Sequence, residues 1–310
     1  MKRGGTGLRL LLSHFLPLWS PDGRRMALMD GRAIWLANGN GTRRKRLGQG
    51  WTAAWSPNGK VLALALGRRL WLVNRDGSAL RRFPVDVPKC ANCESSEGSP
   101  SWSPDGRRLV FEHGEREPGS WGGADVWVAD LDGQKLRRLA APGESPRWSP
   151  DGTRISYLAF PYHGDPAPEV HVVDADGSND RNLGRGESPV WSPRGATLAF
   201  EGVRFPKRVY VVPPTGRIIT LRRSAAPSWA PDGKRIAFER RGSIFVADAN
   251  GKRQRRVARG VQPSWSPDGR LIAYAGARCG VLQGIHAIRP NGTGHRRLTD
   301  FCFRPAAPAR

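Results

Sequence analysis

Long apolar runs are missing from this chain. The longest, near Leu8–Leu18, is interrupted by Ser13 and His14 and falls short of the roughly 18 consecutive apolar residues that a membrane-spanning helix needs. Met1-Lys2-Arg3 ahead of it resembles the start of a secretion signal. The run passes straight into patterned sequence with no small-residue cleavage site, so it is read as part of the fold, with an upstream leader left open. Cysteine is scarce: Cys90, Cys93, Cys279 and Cys302 are the only four, a number that permits two disulfides and an oxidising compartment without requiring either. Acidic residues are in short supply, 27 against 50 basic ones, for a net charge of +23. Such an excess either attracts an anionic partner, such as nucleic acid or a lipid surface, or only solvates the exterior. The second reading is preferred, because eight of the 50 basic residues are Lys and the rest Arg, as in an arginine-biased composition. Neither Gly-x-Ser-x-Gly nor His-Glu-x-x-His occurs, which leaves no nucleophile elbow and no zinc-peptidase helix.

Turn chemistry is abundant, with 38 Gly and 26 Pro, and Trp is frequent at twelve. Both belong to an internal repeat. Trp19, Trp55, Trp102, Trp148, Trp191, Trp229 and Trp265 recur at intervals of 36 to 47 residues, the length of one four-stranded blade. The cleanest copy runs Pro227-Ser228-Trp229-Ala230-Pro231-Asp232-Gly233, then 234–239, 243–248, Asn250-Gly251 and 255–257. Four short β-type segments, a to d, are thus separated by turns. Pro, Asp and Gly suit the successive positions of the a–b turn. Asp-Gly or Asn-Gly, the favoured two-residue hairpin, marks the c–d turn at 40–41, 76–77, 132–133, 176–177, 250–251 and 291–292. Asn58 and Arg194 replace the turn Asp, and Ala230 the turn Ser.

Four antiparallel strands per unit, repeated about an axis, remove long open edges. The expected fold is therefore all-β: a propeller of seven four-stranded blades, with six blades or an incomplete eighth as alternatives. The signature Trp is expected to fill the gap between blades. The chain is read as one domain, 1–310, with 1–14 an extra outer strand or latch, 15–300 the repeats and 301–310 a tail.

Trp-Ser-Pro-Asp-Gly followed by 107–111 or 234–238 resembles the WD40-like PD40 repeat of the TolB family, over about residues 15–300. The resemblance implies the propeller fold, and more weakly an envelope role. TolB differs in carrying a separate N-terminal α/β domain and six blades. A periplasmic or extracellular location follows from the resemblance and from cysteine pairing, with the cytoplasm left open.

Strand direction puts the a–b and c–d turns on one face and the b–c and d–a loops on the other. Insertions gather on the second face, at 113–124, 160–169, 203–207 and 84–99. Binding residues favour variable loops on a rigid frame. The candidate partner-binding residues are Arg116, Trp121, Tyr162, His163, Arg204 and Phe205, and the expected partner is a protein, with the protein itself a monomer. Cys279 and Cys302 are expected to form one disulfide at that face, and Cys90 and Cys93 a local one. Dibasic pairs at 43–44, 81–82, 137–138, 222–223, 255–256 and 296–297 are expected on the outer d strands, as edge protection or as a polyanion-binding ring. Asp174–Asp180 resembles a calcium loop but lacks the closing Glu, so it is read as a turn. His113 and His163 are placed in loops and His171 in a strand, without metal-ligand spacing. No metal or cofactor is expected. A non-catalytic binding scaffold is the leading reading. The alternatives are a polyanion-binding surface, or an enzyme with its site in the central channel: a propeller lyase, or a remnant of a prolyl-oligopeptidase-type peptidase.

Overall fold

The structure is a computed structural model. It describes residues 16–298 apart from 30–32, 40–41, 89–92, 117–122, 161–166, 216 and 279–280. The proposed N-terminal latch, the C-terminal tail, and Trp121, Tyr162, His163, Cys90, Cys279 and Cys302 all lie outside the described residues. No helix among the described residues is long and apolar enough to cross a membrane. The chain divides into two compact units, Met1–Pro166 with His171–Asn182, and Ala167–Val170 with Leu183–Arg310.

Every described element is a β-strand. Blade one comprises β1 (Leu16–Trp19), β2 (Arg25–Met29), β3 (Ala33–Asn38) and the start of β4 (Lys45–Trp55). The rest of β4 opens blade two, with β5 (Val61–Leu66), β6 (Arg69–Asn74) and β7 (Arg81–Arg82). Blade three holds β8 (Glu94–Trp102), β9 (Arg108–Arg116), β10 (Ala124–Asp130) and β11 (Arg137–Ala140). Blade four holds β12 (Glu144–Trp148), β13 (Arg154–Ala159), β14 (Glu169–Asp174) and β15 (Arg181–Arg185). Blade five holds β16 (Glu187–Ser192), β17 (Gly195–Gly202), β18 (Arg208–Val212) and β19 (Ile219–Arg222). Blade six holds β20 (Ala225–Trp229), β21 (Arg235–Arg240), β22 (Ser243–Asp248) and β23 (Arg255–Arg259). Blade seven holds β24 (Val261–Trp265), β25 (Ile272–Arg278), β26 (Val281–Ile288) and β27 (Arg296–Arg297). Among the described residues these are seven four-stranded antiparallel sheets, as the repeat predicts.

The signature is structural. In the first turn the Ser20 hydroxyl donates to Asp22 at 2.8 Å, accepts from the Arg25 N–H at 3.0 Å, and Gly23 takes φ +68°. Ser103, Ser149 and Ser266 repeat this pattern with their own Asp. Asn58 keeps it, accepting from the Ser56 hydroxyl at 2.9 Å and the Lys60 N–H at 3.0 Å. Arg194 does not: Ser192 pairs directly with Gly195, and the turn tightens. The signature Trp side chains pack on the preceding blade. Trp55 sits among Ala27, Ile34 and Leu36, Trp102 among Ala63, Leu70 and Leu72, and Trp229 among Ala199, Val209 and Val211. Their indole N–H groups donate to Leu18, Ala54 and Val190 carbonyls at 2.9–3.1 Å. Each of these three rings buries apolar area while its one polar atom stays paired, whereas Trp148 and Trp265 bury an indole N–H that makes no hydrogen bond. Trp19 departs from the pattern and is 44 % exposed.

Candidate functional site

Within each blade the turns divide as strand direction requires. N–H groups of the c–d turns at Gly39, Arg75, Leu131, Ala175 and Ala249 donate to carbonyls of Arg24, Lys60, Arg107, Thr153 and Lys234, at 2.7–3.2 Å. The plain a–b and c–d turns therefore dock on one another. The b–c and d–a connections lie at the other end of each sheet.

At that other end, blade three departs from the expected loops. Glu94–Trp102 and Arg108–Arg116 form long paired strands, with Glu94 opposite Arg116 and Glu97 opposite His113. Residues 94–99 and 113–116 are thus strand rather than loop. The short b strands of the other copies set the wrong length for this one. His113 is accordingly not a loop residue: it lies on β9, 4 % exposed, edge-on to Trp127. Its ring nitrogens make no hydrogen bond, although Glu115 Oε1 lies 3.5 Å from Nε2. Burial pulls its pKa down, and Glu97 and Glu115 oppose this.

A groove of about 400 Å³ opens beside these strands, walled by Trp51, Arg68, Glu94, Glu112, Glu115 and Glu144. Trp51 is 49 % exposed. Burial, and then the neighbouring Glu112, push the Glu144 carboxyl above the ordinary range. Glu112 itself accepts the Ser145 N–H at 2.9 Å. That bond answers a recurring need. Three residues before the signature Trp, strand a bulges through a positive-φ residue: Ser99, Ser145, Ser188, Ala226 or Gln262, at 46–53°. The freed N–H is taken by a Glu on the preceding blade's b strand, Glu112 for Ser145, Glu201 for Ala226 (2.8 Å) and Glu239 for Gln262. The Phe-Glu ending of 111–112, 200–201 and 238–239 was the available sequence signal.

Three of the six predicted binding residues, Arg116, Arg204 and Phe205, fall among the described residues. Arg116 closes β9 in the first unit. Arg204 and Phe205 form a bend between β17 and β18 in the second, where Phe205 is 94 % exposed. His171 is in a strand as expected, stacked on Tyr157 at 5.0 Å, with Nδ1 3.2 Å from Asp180 Oδ2. The calcium-like segment is the c–d turn of blade four: Asp176 accepts from Ser178, and Gly177 takes φ +86°.

The dibasic pairs resolve into two jobs. The first member clamps the next blade's c–d turn: Lys45 donates to Gly77 O at 2.6 Å, Arg137 to Ala175 O at 3.0 Å and Arg255 to Pro290 O at 2.6 Å. The second lies across from a c-strand ring: Arg46 from Trp35, Arg82 from Trp71, Arg138 from Trp127, Arg256 from Phe245, Arg297 from His286. The adjacent strand thus sets an aromatic ring across from the second member of each of these pairs. Two expected pairs are corrected. Arg43-Arg44 precedes β4, and the equivalent pair is Lys45-Arg46. Arg222-Arg223 lies beyond the equivalent positions, Ile219 and Thr220, which pair with Val211 and Tyr210.

No protein-family model matches the sequence, and neither does any curated protein sequence. Solved structures do align. An oligogalacturonate lyase in complex with manganese matches at 18 % identity over 83 % of this chain and 84 % of its own, TM-score 0.62. Dipeptidyl peptidase 4 from Porphyromonas gingivalis matches at 11 % identity over 92 % of this chain, TM-score 0.65, and the chain spans 52 % of that peptidase. TolB from Acinetobacter baumannii aligns at 16 % identity over 91 % of this chain and 62 % of its own, TM-score 0.46. Repeat, blade architecture and structural likeness agree that the chain has a β-propeller fold.

Proposed function

We propose that the protein is a non-catalytic binding scaffold, a single domain that engages a protein partner through the b–c and d–a end of blades two to four. The observation that carries this reading is the groove at that end. A half-exposed Trp51 stands beside Glu94, Glu112, Glu115 and Glu144, on a chain with a net charge of +23. Carboxylates concentrated at one point of a basic surface select a cationic segment by complementarity. An exposed indole adds a face for an Arg or Lys head group or an aliphatic side chain. An envelope or extracellular setting belongs to this reading, since disulfides persist in oxidising compartments. The Cys90–Cys93 and Cys279–Cys302 pairings belong to the same reading.

The test is a pull-down from envelope and soluble fractions with the intact chain and with Trp51→Ala/Glu115→Gln/Glu144→Gln. The expected outcome is a protein retained by the first and released by the second, while both unfold at the same temperature. Identical captured proteins would end this reading.

A second reading, catalysis, has one observation in its favour: His113 lies with Glu97 and Glu115 near the same groove. The structural neighbours include a lyase and a peptidase. Turnover of an oligogalacturonate by the intact chain, abolished in His113→Ala, would select it over the scaffold.

A further inference from the structure

A second groove, of about 830 Å³, lies in blades five and six and is lined by Arg222, Arg223, Arg240, Arg241, Arg256 and Arg259. No Asp or Glu lines it, and among the described residues none of these six guanidinium groups is in an ion pair. The cluster is built by two departures from the repeat and by one bulge that the repeat shares. Arg222 and Arg223 lie past the usual dibasic position of blade five. Arg240 and Arg241 occupy the b–c turn of blade six, where Arg240 pairs with Ser243. On β23 the register shifts between Ile244 and Phe245, so Val257 is an extra residue, a bulge that β4 and β11 share at Leu47 and Leu139. Arg256 and Arg259, three apart, thereby both line the groove instead of facing opposite ways.

Arg240 is set firmly. Its Nε donates to the Ser224 hydroxyl at 3.2 Å, and its guanidinium carbon lies 5.0 and 5.1 Å from the Phe238 and Phe245 ring centres. Burial holds its pKa below the usual guanidinium value. Six like charges held together without counter-ions repel one another unless a ligand supplies the anions.

We propose that this groove binds a ligand carrying two or more phosphate groups. Guanidinium forks match tetrahedral oxyanions bidentately, and Arg is preferred over Lys where that geometry matters. The volume lies within the span of small-molecule sites and exceeds what one phosphate fills. Nucleic acid is a poorer fit. Phe245, the one aromatic ring lining the groove, is stacked on Phe238 at 5.8 Å and covered by Arg240, which leaves no free platform for a base. The phosphates could be free in solution or carried on a lipid headgroup; the recognition chemistry is the same.

The probe is inorganic tripolyphosphate, titrated calorimetrically into the full chain at about 50 mM salt, where phosphate contacts are strongest. Binding is expected, with about tenfold or greater weakening in Arg241→Ser/Arg256→Ser. Arg43→Ser/Arg107→Ser, an equal charge loss outside the groove, should bind like the parent. Thermal midpoints of all three confirm folding. In a second arm, vesicles doped with a bisphosphorylated inositol lipid retain the parent, and tripolyphosphate releases it, if the lipid is a source. Retention and release support the site, and so does solution binding without retention, which assigns the free ligand. No binding of tripolyphosphate, equal weakening in both double variants, or binding of a single-stranded oligonucleotide that tripolyphosphate fails to displace would overturn the proposal.

Discussion

Two b–c turns in this protein carry adjacent arginines, and the chain treats them in opposite ways. In blade two the turn is Gly67-Arg68-Arg69. Arg69 pairs with Glu97 at 3.0 Å, Arg68 pairs with Glu94, and Glu97 also accepts the Leu70 N–H at 2.9 Å. In blade six the turn is Arg240-Arg241-Gly242, and the next blade offers no carboxylate to it. One register position accounts for the difference. Five residues before the signature Trp, four blades carry Gly: Gly50, Gly143, Gly186 and Gly260. Blade three carries Glu97 there. The two positions are equivalent in hydrogen bonding, since Glu97 N donates to Arg68 O and Gly260 N to Gly242 O, both at 3.0 Å. Gly260 has φ +152°, and a Cβ on it would meet Tyr274 Cδ2 at 2.4 Å and Ala275 O at 2.6 Å. A side chain cannot be added there without moving backbone, so blade seven cannot place an acid where blade three places Glu97. The same repeat therefore yields one internally satisfied arginine turn and one left for an external anion.

The largest expected effect comes from making the two turns alike. Glu97 is 1 % exposed, and Glu97→Ala strands both the Leu70 N–H and the Arg69 guanidinium. Urea denaturation should show a loss of about 2–3 kcal/mol, the cost of orphaning a buried donor and breaking charge-assisted bonds. Arg240→Ala removes one bond to Ser224 and a cover over two rings, and should cost less than half as much. Equal losses would mean that blade six is satisfied internally by contacts other than those described, and the contrast between the turns would collapse.

This contrast was partly legible in the sequence. The blades were, because Trp, Ser-Pro-Asp-Gly and Asp-Gly each impose a local geometry: a Trp that spans blades, a hydroxyl–carboxylate turn, a two-residue hairpin. Glu97 was legible in principle as the one acidic residue at a position that the repeat fills with Gly or Ser224. It was hidden because repeats were aligned on their signatures and not on the strand ahead of them. The arginine groove was not legible. It depends on the approach of the b–c turn to strand d of another blade, which leaves no periodic trace. Arg222-Arg223 looked like one more dibasic pair, whereas Arg137 and Arg255 show what such pairs do when in register: they clamp the following turn.

A middle-sized effect sharpens the comparison from the electrostatic side. If the blade-six arginines repel one another, Arg223→Ser/Arg241→Ser should raise the thermal midpoint by about 2 °C at low salt, and screening should erase the gain at high salt. Arg68→Ser in blade two should do the reverse and lower the midpoint, because it breaks the pair with Glu94. A midpoint that rises in both variants would show that net charge alone is responsible.

The smallest effect concerns pH and separates the two turns by what titrates beside them. His113, opposite Glu97 in the ladder, has its pKa drawn below 6.5 by burial. The unfolded chain therefore takes up that proton at higher pH than the folded one. His113 contributes stability that is fully present above its unfolded pKa of 6.5 and is lost as pH falls through its folded value. Lowering the pH from about 7.5 to about 5.5 should reduce the thermal midpoint on the order of 1 °C. His113→Leu, which fills the same buried space without a titrating ring, should flatten that slope. The arginines of blade six keep their charge throughout this range, so Arg241→Ser/Arg256→Ser should leave the slope as it is. A slope that survives in His113→Leu would place the titrating group elsewhere and remove His113 from the account of why blade three, alone among the blades, buries an acid at this position.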